Sequence, residues 1–249
     1  MGGILVMQFY TEENLDISIV MPCLNEVNTV AICVEEALKY IEKNGLKGEV
    51  VVADNGSTDG SGNIAKQSGA EVVNVSEIGY GNAIRKGIAY ACGRVIIIGD
   101  CDTTYDFSKL EDFYESLSSG KYDVMIGDRF AGGIDKGAMP LSHKYGVRFL
   151  SMCGRRRFNT DVRDFHCGLR GITRIAAKKL EFSCEGMEFA TEMIACAAKN
   201  ELAIGQTPVK LRKCVYERKS KLKTIRDGMR HLLYIIHNGD CEKQTKKSK

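Results

Sequence analysis

Acidic and polar side chains follow several apolar runs in this sequence, and their types suit a phosphorylated ligand and a divalent cation. Asp100–Asp102 comes directly after the apolar run Val95–Ile98, and Asp54–Asp59 follows Val50–Ala53. Alternate carboxylates at the end of a strand can converge on one hard cation, whose other ligands can be oxygens of a substrate diphosphate. Taken alone, a D-x-D motif is a weak signal, because turns favour Asp.

Two further clusters, Pro22–Glu26 and Gly127–Arg129, follow the first and fifth apolar runs. Each cluster has a structural alternative, because Asn25 or Ser57 can cap a helix and a helix entry favours acidic side chains. Their occurrence together favours a binding site over independent caps. Asp54 has the position of an acidic residue that binds a ribose or base in other nucleotide folds. The absence of a G-x-x-x-x-G-K-[ST] loop from the sequence argues against a nucleoside triphosphatase.

The order of apolar runs and amphipathic stretches predicts an α/β fold. The strands predicted in the first half are Ile17–Met21, Val50–Ala53, Glu71–Val75, Val95–Gly99 and Val124–Gly127. The helices predicted between them lie near Glu26–Asn44, Ser57–Ser68, Gly81–Ala91 and Ser108–Ser119. Such alternation predicts a mainly parallel sheet that binds ligands at the carboxyl ends of its strands. Gly79–Gly81 precedes a helix, and a structural turn is favoured there over a close backbone approach to a ligand.

The second half is less regular, with glycines and basic residues concentrated between Phe130 and Arg170. The elements predicted after it are a helix near Glu188–Lys199, a strand near Ala203–Val209 and a helix from about Leu222 to His237. The last helix has apolar residues at helical spacing and basic residues on other faces. Such a helix can lie among lipid headgroups, and the alternative is that it packs on the core.

Length and composition indicate one globular domain. The 249 residues are 44% hydrophobic and 27% charged, and the net charge of +3 argues against a nucleic-acid partner. The ten cysteines are scattered singly, which favours reduced thiols over a disulfide framework. The sequence shows no signal peptide and no run of about 20 apolar residues. We therefore expect a cytoplasmic protein that associates peripherally with the inner face of a membrane.

Four segments of this sequence resemble motifs of the family 2 glycosyltransferases of the GT-A fold and occur in the same order. They are Pro22–Glu26, Asp54–Asp59, Asp100–Asp102 and Gly127–Arg129. Three later segments resemble the polyprenyl-phosphate sugar transferases, such as dolichyl-phosphate mannose and glucose synthases. They are Asp164–Arg170, Gly186–Met193 and Arg226–Arg230. The similarity covers roughly Ile17 to Leu233. It implies a Rossmann-like α/β domain in which helices flank a mixed, mainly parallel sheet.

The resemblance also implies a division of the chain. Residues 1–15 form an N-terminal extension, residues 16–239 the GT-A domain and residues 240–249 a basic tail. Within the domain, residues 16–129 form the nucleotide-sugar half, 130–221 the acceptor half and 222–239 the amphipathic helix.

On the donor side, the residues implied to bind the nucleotide sugar are Pro22, Leu24, Glu26, Asp54 and Asp100. Asp102 is implied to hold Mg2+ or Mn2+. Dolichyl-phosphate mannose synthases often have a glutamine two residues after the second Asp as a further metal contact. This sequence has Thr104 there, so the remaining metal ligands stay open.

On the acceptor side, the residues implied for catalysis are Asp164, Arg129 and Glu192. The residues implied to bind the acceptor phosphate are Arg129, Arg218 and Lys221. Glu188 and Glu192 lie four residues apart, so they share a helix face, which either orders the reacting centre and acceptor loop or is solvated. The closing loop of the family usually contains a glycine, and here it is compressed to Arg218–Lys221 without one.

The implied reaction is an inverting transfer of a hexose from a nucleotide sugar to a polyprenyl phosphate. UDP-glucose is favoured over GDP-mannose, because Asp164–Arg170 and Gly186–Met193 look more like the glucose branch. An acceptor phosphate is already ionised near neutral pH, so the protein must mainly align two anions and screen their repulsion. Arg129 and the basic closing loop suit that task. The expected partners include a membrane surface, and a homo-oligomer is left open.

The main alternative is a soluble family 2 enzyme that acts on a hydroxyl group of a glycan, protein or small molecule. Such an acceptor needs a general base, which Asp164 can supply. A nucleotidyltransferase is disfavoured, because no glycine-rich basic loop follows the first strand. A non-catalytic sensor is disfavoured by the presence of Asp54, Asp100 and Asp102.

Overall fold

Seven strands within the described residues, 15–216 and 224–237, form one mixed sheet in this computed structural model. The strands are β1 (Leu15–Cys23), β2 (Gly48–Asp54), β3 (Glu71–Asn74), β4 (Gly93–Ile98), β5 (Val124–Asp128), β6 (Arg170–Thr173) and β7 (Ile204–Pro208). Their order across the sheet is β3-β2-β1-β4-β6-β5-β7.

Only β6 runs antiparallel to the other strands of this sheet, and it lies between β4 and β5. In register, Val20 of β1 pairs with Val51 of β2 and with Ile98 of β4. The carboxyl ends of the six parallel strands therefore lie at one edge of the sheet, together with the amino end of β6. This edge is called the carboxyl edge below.

The helices of the described residues are α1 (Val30–Lys43), α2 (Ser61–Gln67), α3 (Tyr80–Tyr90), α4 (Glu111–Ser118), α5 (Arg129–Gly132), α6 (Leu141–Phe158), α7 (Arg174–Lys179), α8 (Phe189–Lys199) and α9 (Thr224–His237). None of them is long and apolar enough to cross a membrane. The described cysteines are all free thiols.

The apolar runs form the central strands because helices cover the sheet. Val50–Ala53 of β2 and Val95–Ile98 of β4 are at most 2% exposed, so neither run needs an alternating polar face. Helix α1 turns Val30, Val34 and Ile41 towards this core, at the spacing of one helix face. The predicted α/β architecture with a mainly parallel sheet is confirmed.

Four elements of the second half were not predicted, α5, α6, β6 and α7. Helix α6 has apolar residues on both faces, which conceals a helical period. Val147 and Leu150 are buried against the domain, whereas Leu141, Tyr145 and Phe149 are exposed. A period of 3.6 residues appears only when the opposite face is polar.

Candidate active site

The four polar clusters meet at the carboxyl edge, as the sequence predicts. Asp100 and Asp102 follow β4, and Asp102 is buried in the loop that leaves this strand. The Asp102 Oδ1 atom accepts hydrogen bonds from the Thr104 backbone N–H, at 3.0 Å, and from the Thr104 hydroxyl. Thr104 therefore fixes the orientation of the carboxylate that is predicted to hold the metal.

The β1–α1 and β2–α2 loops are joined by hydrogen bonds at this edge. Asn25 Oδ1 accepts from Thr58 N at 2.8 Å, and Ser57 Oγ accepts from Asn25 N at 2.9 Å. The N-cap positions of α1 and α2 are Thr29 and Gly60. Helix capping is therefore the wrong explanation for Asn25 and Ser57, which tie the two loops together.

The residues predicted to bind the donor nucleoside lie around these loops. Glu26 lines a cavity of about 80 Å3 whose other walls come from the β1–α1 loop, the β2–α2 loop and the segment after β7. The buried Asp54 accepts a hydrogen bond from Ser57 N at 2.9 Å. Pro22 and Leu24 are partly buried at the end of β1. The structure thus brings these four residues together, and their individual roles stay predictions.

Arg129 and Asp164 form a buried ion pair beside the end of β5. Arg129 Nε and Nη2 donate to the two Asp164 carboxylate oxygens at 2.6 and 2.8 Å, with side-chain exposures of 9% and 0%. The backbone N–H groups of Arg129 and His166 donate to the same carboxylate at 3.3 and 3.2 Å. This pairing was not predicted, and it commits both Asp164 oxygens to donors.

Glu192 holds the α7–α8 loop, residues 180–188, rather than facing solvent. Its Oε1 atom accepts from the Ser183 N–H and hydroxyl, both at 2.8 Å, and its Oε2 atom accepts from Cys184 N at 3.0 Å. Glu192 is 2% and Glu188 is 7% exposed. The alternative of a solvated helix face is therefore wrong for this pair, and the predicted catalytic role of Glu192 remains a prediction.

Helix α9 is attached to α8 and to the segment before β6. Glu188 Oε1 and Arg230 Nη2 form an ion pair at 2.5 Å, and Thr191 Oγ1 lies 2.8 Å from His231 Nδ1. The His166 ring packs edge-on against His231, with ring centroids 4.3 Å apart. Burial lowers the pKa of both imidazoles, that of His231 to about 4. Neutral histidines therefore hold this part of α9.

The segment after β7 lies over the loop that carries Asp102. Arg212 N donates to the Thr104 carbonyl oxygen at 2.9 Å, and the Arg212 guanidinium pairs with Glu36, at 3.2 Å, and with Asp106. Arg218 and Lys221, predicted to bind the acceptor phosphate, lie outside the described residues.

The donor set at the carboxyl edge fits a hard divalent cation. Asp100 and Asp102 supply carboxylate oxygens, and Thr104 orients one of them. The described residues contain no group of three His, Cys, Asp or Glu side chains placed to hold an ion. Mg2+ commonly binds through one or two carboxylates and takes its other ligands from phosphates and water. Two carboxylates therefore suffice only together with a ligand such as a diphosphate.

No individual role was predicted for Tyr80 or Arg170 from the sequence. The Tyr80 hydroxyl donates to Asp100 Oδ1 at 3.1 Å. Arg170 is 1% exposed and donates to the carbonyl oxygens of Cys167 and Ala190, which ties the segment before β6 to α8. The Gly79–Gly81 motif was the available signal for Tyr80. Nothing in the sequence around Arg170 indicates that its side chain is buried.

Comparison with known proteins places these features in a family. Residues 18–181 match the family Glycosyl transferase family 2. The chain is 36% identical over 223 residues to the Low-salt glycan biosynthesis hexosyltransferase Agl6 of Haloferax volcanii, over 89% of this chain and 53% of that protein. It thus spans about half the length of that relative. The Dolichyl-phosphate hexose transferase of the same organism is 26% identical over 82% of this chain and 86% of that protein.

The fold has solved counterparts. The glucosyl-3-phosphoglycerate synthase of Mycobacterium tuberculosis, in complex with Mn2+, uridine diphosphate and glucosyl-3-phosphoglycerate, superposes with a TM-score of 0.71 at 20% identity. The similarity covers 90% of this chain and 80% of that structure, which shows the common fold. Because the family model matches more than half of the chain, this chain belongs to glycosyl transferase family 2, and it has the GT-A fold of its structural neighbours.

Proposed function

We propose that this enzyme transfers a hexose from a nucleotide sugar to a polyprenyl phosphate at a membrane surface, with inversion at the anomeric carbon. UDP-glucose is the favoured donor and GDP-mannose the second choice. The observation that carries the lipid acceptor is a pair of neighbouring helices that expose apolar side chains, α6 within the predicted acceptor half and α9 after it.

The exposed side chains of α6 and α9 lie at helical spacing. On α6, Leu141, Tyr145 and Phe149 are 72%, 69% and 54% exposed. On α9, Leu233 and Ile236 are 46% and 54% exposed, and the two helices pack against each other. Apolar stripes of this kind are unusual on a solvated surface and favour a membrane or protein contact.

Basic side chains border these stripes, which favours an anionic membrane as the contact. Lys144 and Arg148 lie on α6 between its exposed apolar residues, and the last turn of α6 contains Arg155–Arg157. Arg226 is exposed near the start of the described part of α9. Apolar residues flanked by Lys and Arg suit the headgroup region of an anionic bilayer. The name of the Haloferax dolichyl-phosphate hexose transferase supports the same acceptor class.

The donor half supports a nucleotide-sugar site that uses a cation. The resemblance of Asp164–Arg170 and Gly186–Met193 to the glucose branch favours a uridine nucleotide, and the structural neighbour was solved with Mn2+ and uridine diphosphate. In this chain, Asp102 is the residue that would hold Mg2+ or Mn2+, with Asp100 beside it on the same loop. A bound cation would neutralise charge that develops on the departing diphosphate.

The buried ion pair favours a phosphate over a hydroxyl acceptor. A general base must receive a proton from the acceptor, and Asp164 already accepts from two Arg129 nitrogens. A phosphate acceptor needs no such base. The role that fits Asp164 is to hold Arg129, whose positive charge can favour a second anion nearby.

The acceptor class is tested by lipid extraction. The enzyme is incubated with Mn2+, polyprenyl phosphate in vesicles and radiolabelled UDP-glucose or GDP-mannose, and the organic phase is counted. Label in the organic phase that depends on the lipid phosphate is expected. Label transferred only to water-soluble hydroxyl acceptors would contradict the lipid acceptor, and retained transfer by Asp102→Ala in chelator would contradict the metal role.

The membrane contact is tested by flotation with vesicles that contain anionic lipid. A variant with Leu141→Ser, Tyr145→Ser and Phe149→Ser removes three exposed apolar side chains, and we expect vesicle binding to weaken by about 100-fold. Ile175→Ser is the matched control, because Ile175 is 70% exposed on α7. Equal flotation of the triple variant and wild type would contradict this surface.

A further inference from the structure

Tyr80 holds one side of the Asp100 carboxylate. Its hydroxyl donates to Asp100 Oδ1 at 3.1 Å from the first residue of α3. On the other side, a Cβ at Gly168 would lie 2.3 Å from Asp100 Oδ2. The carboxylate is therefore confined between Tyr80 and the backbone of Gly168.

The α7–α8 loop holds the first turn of α3, and so Tyr80. Gly81 N donates to the Glu185 carbonyl oxygen at 2.8 Å, and Arg85 Nη1 donates to the Phe182 carbonyl oxygen at 2.8 Å. The approach is so close that a Cβ at Gly79 would lie 2.2 Å from Glu185 O. Gly79 has a φ of 153°, which L side chains rarely adopt. The glycines of the Gly79–Gly81 motif thus allow the start of α3 to pack closely against the α7–α8 loop.

Glu192 in turn fixes the α7–α8 loop. Its buried carboxylate accepts from Ser183 and Cys184, the residues between the Phe182 and Glu185 carbonyls that hold α3. Removal of this carboxylate would take away the shared acceptor of the Ser183 and Cys184 N–H groups, and the loop would lose the hydrogen bonds that fix it. A continuous chain of contacts therefore joins Glu192, the loop, Tyr80 and Asp100.

We propose that Tyr80 is a positioning residue that fixes Asp100 for donor binding, and that the α7–α8 loop held by Glu192 sets the place of Tyr80. This role rests on the proposed use of a nucleotide-sugar donor. It gives Glu192 an indirect part in the reaction, without contact with the reacting atoms.

The first test is Tyr80→Phe, which removes only the hydroxyl group. Binding of UDP and of GDP with Mn2+ is measured by calorimetry, and donor KM and kcat are measured in the transfer assay. We expect the affinity for the bound nucleotide to fall and donor KM to rise by about tenfold, with kcat and the melting temperature nearly unchanged. Tyr122→Phe is the matched control, since Tyr122 precedes β5 at the opposite edge of the sheet.

The outcomes separate the two proposals. If wild type binds neither nucleotide with Mn2+, the proposed function fails and the positioning role fails with it. If wild type binds and Tyr80→Phe binds equally well, only the positioning role is overturned. An equal loss of affinity in Tyr122→Phe would also overturn it, because the effect would not be local to Asp100.

The second test addresses the loop. Glu192→Ala is expected to raise donor KM as Tyr80→Phe does, and Glu192→Gln, which keeps one acceptor oxygen, is expected to restore much of the loss. Combined with Tyr80→Phe, Glu192→Gln should add less than its separate effect, because both act on Asp100. Full additivity in the double variant would overturn the link between Glu192 and Tyr80, and it can be measured even if Glu192→Ala does not fold.

Discussion

The buried pair Arg129–Asp164 gives a prediction whose size follows from its burial. Asp164→Asn preserves shape but removes the charge that balances a guanidinium only 9% exposed. Breaking a buried pair by neutralising one partner costs about 3–5 kcal/mol, because the other charge stays buried without compensation. In a domain of this size, that loss lowers the melting temperature by about 10 °C.

The assay is urea and thermal unfolding of wild type, Asp164→Asn and the double variant Arg129→Met/Asp164→Leu. The double variant removes both charges, so we expect most of the stability to return. Asp135→Asn is the matched control, since Asp135 pairs with Lys210 at 3.0 Å with exposures of 38% and 62%, and we expect a loss of at most about 1 kcal/mol. A loss in Asp164→Asn as small as in this control would refute the reasoning.

Three further perturbations have defined outcomes. Gly168→Ala adds a Cβ 2.3 Å from Asp100 Oδ2, so displacement of Asp100 should lower kcat/KM for the donor by about 100-fold, and unchanged kinetics would contradict the packing. Burial lowers the pKa of His231 from 6.5 to about 4, so the unfolded state binds more protons between these values. The free energy of unfolding should be at its full value above pH 6.5 and fall by about 3 kcal/mol towards pH 4, less steeply in His231→Gln. Equal pH profiles of urea unfolding in wild type and His231→Gln would contradict this. Chelation of divalent ions should abolish nucleotide-diphosphate binding in calorimetry, and added Mn2+ should restore it in wild type but not in Asp102→Ala; equal restoration would exclude Asp102 as the ligand.

The sequence pattern predicted the parallel part of the sheet because strands buried on both faces leave continuous apolar runs. The five strands predicted in the first half are all present, with bounds within two residues of the prediction. The same reasoning missed β6, which begins with Arg170 and contains Gly171. Arg170 can be buried because backbone carbonyls accept from its guanidinium, and such partners cannot be identified from sequence alone.

The meeting of the polar clusters at one edge was also predictable, since it follows from the alternation of strands and helices. The partners of individual side chains were not. Arg129 and Asp164 are separated by 35 positions, and nothing in their types says that they pair with each other. Likewise, Asn and Ser are common helix caps. Only the close approach of the two loops in the structure shows that Asn25 and Ser57 form hydrogen bonds from one loop to the other.

In parallel sheets, ligand-binding residues usually follow the strands, but the residue predicted to act on the acceptor side, Asp164, precedes a strand. The direction of β6 explains this difference. Because β6 is antiparallel, the residues before it, and not those after it, lie at the carboxyl edge. Both ends of this segment are fixed, since Arg170 pairs with Ile98 and Ile126 in the sheet and Asp164 is bound by Arg129. An inserted residue would break either the ion pair or the register, and a register shift turns every side chain of a strand to the other face. The length of this segment is therefore a structural requirement of the site, and it places Gly168 against Asp100.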